Sequence, residues 1–316
     1  MKRILSAVVL SVVASGAMAA YPERPVRFIV AAVAGSAPDI NSRVLTTALT
    51  SQLGQQFIVD NRGGAGGSIG TALLARATAD GYTIGYGNVA SLAIAKSAIA
   101  KLPYDPERDF QPISMISHSA NLLAGAPSLA VKTVPELIDY AKKNPGKVVY
   151  GGATVSSTQY LSGQLFNQMA GTQIRAVSFL GVQVIPAMAM GQVHITFNSV
   201  SALEQFVRSG RIRAIAVTGA KRSAAFPAVP TIAETLPGYE VVAWGGIIAP
   251  AGAPRQIVAQ LNAAINKALA SPAVVEKYKL IDLESAGGTP EQFAAHIKKE
   301  IAKWAEVVKK AGIKPE

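Results

Sequence analysis

The chain has 316 residues, half of them hydrophobic and only 6% aromatic, with no cysteine, three histidines and a formal charge of +11. Without cysteine there is neither a disulfide frame nor thiolate chemistry, and a core of Ala, Val, Ile and Leu suits α/β layers better than a β-sandwich. The charge does not imply nucleic acid: the lysines gather near the C-terminus (Lys298, Lys299, Lys303, Lys309, Lys310) with Glu300 and Glu306 among them, the pattern of a solvated helix face.

Lys2 and Arg3, an apolar run over 4–14 and the ending Ala17-Met18-Ala19 have the layout of a secretory signal peptide cut after Ala19. The run is shorter than the roughly 20 residues a membrane span takes. The expectation is an exported, soluble chain in the periplasm, with a charge of +9, no supply of ATP or NAD, and no cofactor. A mildly positive field of this kind attracts small anions.

Strand and helix signals then alternate. Residues 26–30 read as a buried strand. Ser36 and Asp39 are placed to form a capping box that opens a helix carrying Val44, Leu45, Leu49 and Leu53 and ending at Gly54. Residues 57–59 predict a second strand, 63–70 a glycine-rich turn into a helix through 72–75, and 83–86 a third strand. Thr133 and Glu136 predict a second capping box, on a helix stopped by Asn144-Pro145-Gly146. Strands follow at 148–150, 176–177, 193–197 and 214–217, with helices after the polar run 154–158 and over 181–190. His118 and His194 lie in strand-like stretches. A late strand at 245–249 precedes helices over 255–270 and 290–310, the last capped by Thr289. This alternation means βαβ units and parallel sheets, with ligand loops gathered at the carboxyl ends of the strands.

Catalytic patterns are thin. Gly66-Gly67-Ser68-Ile69-Gly70 matches a nucleophile elbow, but no His-Gly-Gly-Gly type segment precedes it to supply an oxyanion hole. Read as a dinucleotide loop, the same stretch has its third glycine displaced, and no acidic residue ends the next strand. A tight turn built on structural glycines accounts for it better. The run Ser156-Ser157-Thr158 has no base nearby in sequence, and no histidine pair or carboxylate cluster suggests a metal.

Four loops instead place hydroxyl, amide and glycine residues beside helix starts or strand ends: 36–39, 88–91, 154–158 and 179–181. Helix N-termini carry unpaired N–H groups and partial positive charge, so they hold anions without basic side chains. Capping alone would explain any one of them. Four together, in a chain with few reactive groups, point to recognition of a small carboxylate.

Several segments are distinctive: Tyr21-Pro22-Glu23-Arg24-Pro25-Val26-Arg27, Asp60-Asn61-Arg62-Gly63-Gly64-Ala65-Gly66-Gly67-Ser68-Ile69-Gly70, Asp80-Gly81-Tyr82-Thr83 and Leu102-Pro103-Tyr104-Asp105-Pro106. Gly210-Arg211-Ile212-Arg213-Ala214, Pro227-Ala228-Val229-Pro230-Thr231, Ala249-Pro250-Ala251-Gly252-Ala253-Pro254 and Ala311-Gly312-Ile313-Lys314-Pro315-Glu316 follow. In this order they resemble the Bug family, the periplasmic substrate-binding proteins of tripartite tricarboxylate transporters. The resemblance implies an α/β fold of the two-domain periplasmic-binding-protein type (type II), with parallel-rich sheets flanked by helices and a ligand cleft between the domains. It divides the chain into a signal peptide (1–19), a discontinuous first domain (20–122 plus 244–316) and a second domain (123–243). It further implies a monomer that is not an enzyme and hands its ligand to membrane permease subunits.

This chain departs from the family pattern in four places. The usual Pro-Gly-Gly before the first-helix Asp is Ala34-Gly35-Ser36. The usual His at the second-domain helix start is Tyr160. Pro-Tyr-Lys-Gly becomes Ser178-Phe179-Leu180-Gly181, and Phe-Asp-Asn becomes Phe197-Asn198-Ser199. Loss of that Asp argues against an amino-acid ligand, while Tyr160, Phe179 and the apolar 31–34 entry favour an aromatic mono- or dicarboxylate, with an aliphatic diacid second. The expected ligand contacts are Ser36 and Asp39, Asn88 and Ser91, Ser156, Ser157 and Thr158, then Phe179, Gly181 and Asn198. Asp39 has a structural alternative, pairing with Arg43 at i, i+4. An exported sensor for a two-component system and an exported hydrolase using Ser68 or 156–158 are the rival readings.

Overall fold

The computed structural model describes residues 21–179 and 181–315; the leader read over 1–19 lies outside them. In chain order, β1 (Val26–Val30), α1 (Ala37–Leu53), β2 (Phe57–Asn61), α2 (Ser68–Ala75) and β3 (Thr83–Asn88) lead through a wide helical turn at Ala90–Ile94 into α3 (Ala95–Ala98) and the long β4 (Phe110–Gly125). Then come α4 (Val134–Lys143), β5 (Val149–Gly152), α5 (Thr158–Ala170), β6 (Arg175–Ser178), α6 (Val184–Ala189), β7 (Ile195–Ser199), α7 (Val200–Arg208) and β8 (Arg213–Val217). The chain closes with β9 (Val242–Pro250), α8 (Arg255–Leu269), α9 (Pro272–Leu280), β10 (Glu284–Ser285) and α10 (Pro290–Lys310).

The strands form one sheet in the order β2-β1-β3-β9-β4-β7-β5-β6, with β8 and β10 also on β4. Pairing is parallel within β2-β1-β3 and within β7-β5-β6. It turns antiparallel where β9 and β4 run between those groups. β4 is shared: residues 110–120 pair with β9, residues 121–125 with β7 and β8. The sheet therefore has two halves that share β4.

Strand polarity fixes where a ligand can sit. Because β9 is antiparallel to both β3 and β4, β3 runs in the direction of β4, whereas β7 runs against it. The carboxyl ends of β1 and β3 thus point at those of β5 and β7. Asn88 lies level with Gly245, which pairs with Ser117, and Asn198 lies level with Leu122. From Ser117 to Leu122 along β4 is about 17 Å at roughly 3.3 Å per residue. That span suits a small molecule.

Burial follows the sequence pattern. Val26, Phe28 and Val30 on β1 are fully buried and pack with Leu45, Leu49, Leu261 and Ile265 from α1 and α8, as an inner parallel strand covered on both faces requires. A second core joins the two halves: Trp304 of α10, Phe166 of α5, Tyr239 and Trp244 are all buried in it. Glu300 is buried there too, accepting from the indoles of Trp244 (3.1 Å) and Trp304 (2.9 Å). α1 ends at Gly54 in the left-handed conformation (φ 72°), its N–H bonded to Thr50 O, and the Thr289–Gln292 capping box opens α10.

The other two boxes form differently. The Ser36 hydroxyl donates to Val33 O and Asp39 reaches back to Gly35 N–H, so neither arm of the box closes on Ser36. Thr133 does accept from Glu136 N–H, but Glu136 turns to Lys132 N–H. Five elements have no counterpart, or only a partial one, among those expected from the sequence: α3, α7, α9, β10 and most of β4. Strand β4 includes Pro112 and shifts register at Pro112/Ser114 and again at Met115/Ser117, which breaks the period-2 alternation that marks a strand. Only Ser271 separates the C-cap of α8 from the start of α9, so the two merge in any reading by composition.

Candidate functional site

Two shallow indentations mark the facing strand ends. The first, with about 240 Å³ of empty space open to solvent, is lined by Ala31, Pro38, Gly66, Gly67, Tyr86, Asn88 and Ser91. Its polar groups are fixed by one another. Asn88 N–H donates to Ser91 Oγ (3.1 Å), and Ser91 N–H donates to Asn88 Oδ1 (3.0 Å). That leaves the Asn88 side-chain NH₂ without a protein acceptor among the described residues. Gly67 sits at φ 95°, where an added Cβ would meet Ala31 O at 3.0 Å. Gly70 is tighter: its Cβ would lie 2.3 Å from Arg62 O and 2.8 Å from Ala31 Cα. The glycine run thus lets α2 lie against the end of β1 and bares backbone at the cleft, and Ser68 Oγ is spent on Ala65 O (2.9 Å). Burial pushes the Tyr86 phenol up to about 12, with hydrogen bonds to Asn41 and Ser117 pulling the other way. It is a neutral donor at any physiological pH.

The second indentation, about 200 Å³, includes Gly151, Gly152, Gln159, Phe179, Gly181 and Asn198 in its wall, with Thr196 behind them. Asn198 Nδ2 donates to Gly181 O (2.9 Å) and its Oδ1 accepts from Ser199 N–H (2.9 Å). Phe179 N–H donates to Gly152 O (2.7 Å), and Thr196 Oγ1 donates to Gly151 O (2.8 Å). Phe179 and Gly181 are thereby clamped to the ends of β5 and β7.

Of the expected contacts, Asn88, Ser91, Phe179, Gly181 and Asn198 line these two seats, and Ser36, Asp39, Ser156, Ser157 and Thr158 do not. Asp39 is 2% exposed and fully engaged, with Arg43 (3.0 Å), Gly35 N–H (2.8 Å) and Asn61 Nδ2 (3.0 Å). Burial alone would raise its carboxyl, but those hydrogen bonds and the Arg43 charge outweigh burial and hold it below the ordinary value. Ser157 caps α5, accepting from Tyr160 N–H and donating to Thr154 O. Thr158 is buried beside Asn121. Tyr160 packs on Tyr150, ring centroids 6.0 Å apart, and is not in the wall of either seat. Sequence reading missed Tyr86, Gly67, Pro38 and Gln159. Each adjoins a predicted feature, so the signal was position next to a strand end rather than residue type.

Neither seat has a Lys, Arg, His, Asp or Glu in its wall. The histidines serve elsewhere: His194 Nδ1 accepts from Val149 N–H, and burial with the nearby Arg175 charge keeps that imidazole below its usual value. No histidine is hydrogen-bonded to Ser68 or to 156–158 among the described residues. Nor do the described residues contain a group of three His, Cys, Asp or Glu able to hold a metal, or a helix long and apolar enough to cross a membrane. Such walls can bind oxygens through amides and hydroxyls.

Residues 41–313 match the family described as the tripartite tricarboxylate transporter family receptor. The chain belongs to that family. Among solved structures it is similar to Rpa4515 of R. palustris with adipate, at 36% identity over 94% of this chain and 100% of that one, TM-score 0.80. BugD, a periplasmic binding protein, is 31% identical over 94% and 100% of the two chains, TM-score 0.76. MatC (Rpa3494) from Rhodopseudomonas palustris with bound malate is 29% identical over 91% and 100%, TM-score 0.75. The fold of this receptor is accordingly the mixed α/β fold of the periplasmic binding proteins, and its class is solute binding.

Proposed function

We propose that this receptor captures a small organic acid between the two halves of its sheet, in the periplasm after removal of residues 1–19, and presents it as a monomer to the membrane subunits of a tripartite transporter. The observation that carries the reading is a pair of seats at opposed strand ends, both polar and both free of ionisable side chains except the Tyr86 phenol. Backbone N–H groups, Asn88 Nδ2, the Tyr86 hydroxyl and Gln159 supply donors for carboxylate oxygens. We place the boundaries of the two lobes at 122/123 and 243/244, within β4 and β9, so that closure bends these shared strands.

We put aliphatic dicarboxylates ahead of aromatic acids. Tyr160, which favoured an aromatic body in the sequence, is engaged with Tyr150, leaving Phe179 as the half-buried ring at the rim. The adipate and malate held by the similar structures are linear diacids. Titration calorimetry of the purified protein with adipate, malate, succinate, benzoate and terephthalate tests this. Heat with a diacid and unchanged ligand recovered afterwards supports capture. Turnover of esters would move the assignment to the hydrolase, and no heat with any acid would remove it. A sensor role shares the same binding step and is separated by which membrane protein the loaded form pulls down.

A further inference from the structure

Away from the two seats, a groove between the halves is lined by Val200, Lys221 and Arg222 on one side and by Lys279, Asp282 and Glu284 on the other. Asp282 stands at its centre, just past the end of α9, at φ 56°. That is the left-handed region, which aspartate enters more readily than most residues with a Cβ. Its Oδ2 accepts from Ser201 N–H (3.2 Å), at the second residue of α7. The adjoining β10 fastens Asp282 to the first half, with Glu284 and Ser285 paired to His118 and Ser117 of β4, while α7 follows β7 in the second half. One carboxylate thus ties the halves together at a helix N-terminus.

We propose that Asp282 is a proton-responsive contact between the two halves, which favours their present approach as the surroundings acidify. Burial pushes its carboxyl up to about 6, the Ser201 hydrogen bond acts in the opposite sense, and Glu204 and Glu284 add to the rise. The other charges facing it are Lys279 on α9 and Lys221 and Arg222 after β8, with Arg222 held by Glu234. Glu204 is paired with Arg208, and His118 lies 3.9 Å from Glu284. When the halves part, Asp282 becomes solvated and its carboxyl returns toward the ordinary aspartate value. The approached form therefore binds the proton more tightly, and by linkage acid shifts the equilibrium toward it. Above about pH 6 the ionised carboxylate is penalised in the groove and the halves separate more readily.

The inference is independent of any ligand and its test uses none. The chain has no cysteine, so Ser51→Cys and Lys142→Cys place one spin label on an exposed site of each half. Pulsed electron resonance should show the separation of the present arrangement gaining population as pH falls from 7.5 to 4, with a midpoint between the ordinary aspartate value and about 6. Asp282→Asn should hold that population at every pH. Ser201→Pro removes the N–H donor at a helix position where Pro38 and Pro135 already stand in α1 and α4, and should move the midpoint upward. A distance distribution that ignores pH, or a pH response that persists in Asp282→Asn, overturns the proposal and leaves carboxylate capture to the calorimetry.

Discussion

The seat at the ends of β1 and β3 and the seat at the ends of β5 and β7 offer similar chemistry on different supports. Behind the first, an ion pair fixes the loop: Asp39 joins Arg43, Asn61 and Gly35, and the glycine run brings α2 within contact of Ala31. Behind the second, only neutral hydrogen bonds act, from Asn198 to Gly181 and from Thr196 to Gly151. Charge near the first is neutralised by the Asp39–Arg43 pair, and the second has no charged side chain in its wall among the described residues. An anion meets no carboxylate on either side. The difference is in stiffness, and it predicts that the first seat fails by steric or ionic damage whereas the second fails by polarity.

The largest expected effect is at Gly70. Alanine there drives its Cβ into backbone of Arg62 and Ala31, and backbone cannot swing aside. Gly70→Ala should lose about 3 kcal/mol, a melting shift of roughly 6 °C for a chain of this size. Gly66→Ala meets nothing within 4 Å and pays only for its left-handed φ of 64°, about 1 kcal/mol. If calorimetric unfolding shows the two variants alike, close packing does not support the first seat.

Asp39→Asn comes next, at about 2 kcal/mol for a buried carboxylate holding charge-assisted hydrogen bonds. The sign with pH is defined. The native carboxyl lies below its ordinary value, so the contribution is complete above the unfolded value and disappears as pH falls through the lowered native one. Denaturant unfolding of both proteins at pH 7 and in acid should show the gap narrowing only at the acid end. A gap that stays constant into acid would mean that shape, not charge, holds the loop.

Much of this was legible in the sequence where one signal controls one feature. Gly54 marked the stop of α1, Thr289 the start of α10, and the apolar Val26, Phe28, Ile29 and Val30 marked the inner strand β1. Of the loops singled out in the sequence, Asn88, Ser91, Phe179 and Gly181 line the seats, while Ser36 and Ser157 bond to Val33 O and Thr154 O and Thr158 is buried. A hydroxyl's partner depends on side-chain direction, which spacing does not encode; Ser157 and a ligand-binding serine have the same sequence signature. β4 was obscure because its register is set by two bulges and by partners from distant parts of the chain, a tertiary fact without a local cause.

On the second side the test is polarity. Asn198→Asp restores the carboxylate that the family pattern has at this position, but here Nδ2 donates to Gly181 O. An aspartate would face that carbonyl without a proton and repel it, loosening the hold on Gly181 and adding a negative charge beside the seat. Affinity for adipate should fall at least about tenfold, roughly 1.4 kcal/mol, with the loss shrinking in high salt as the charge is screened. A salt-independent loss would assign the effect to the loosened Gly181 alone.

The smallest effect separates capping from contact. Ser157→Ala removes the acceptor for Tyr160 N–H at the start of α5, costing about 1 kcal/mol of stability. Because Ser157 is not in the wall of the second seat, adipate affinity should stay within about twofold once the protein is folded. Measuring both on one variant matters, since a cap and a ligand contact each explain a serine at a helix N-terminus and only their ratio distinguishes them. A tenfold loss of affinity with little change in melting would bring the 154–158 loop into the binding surface, and with it the start of α5 as an anion seat in its own right.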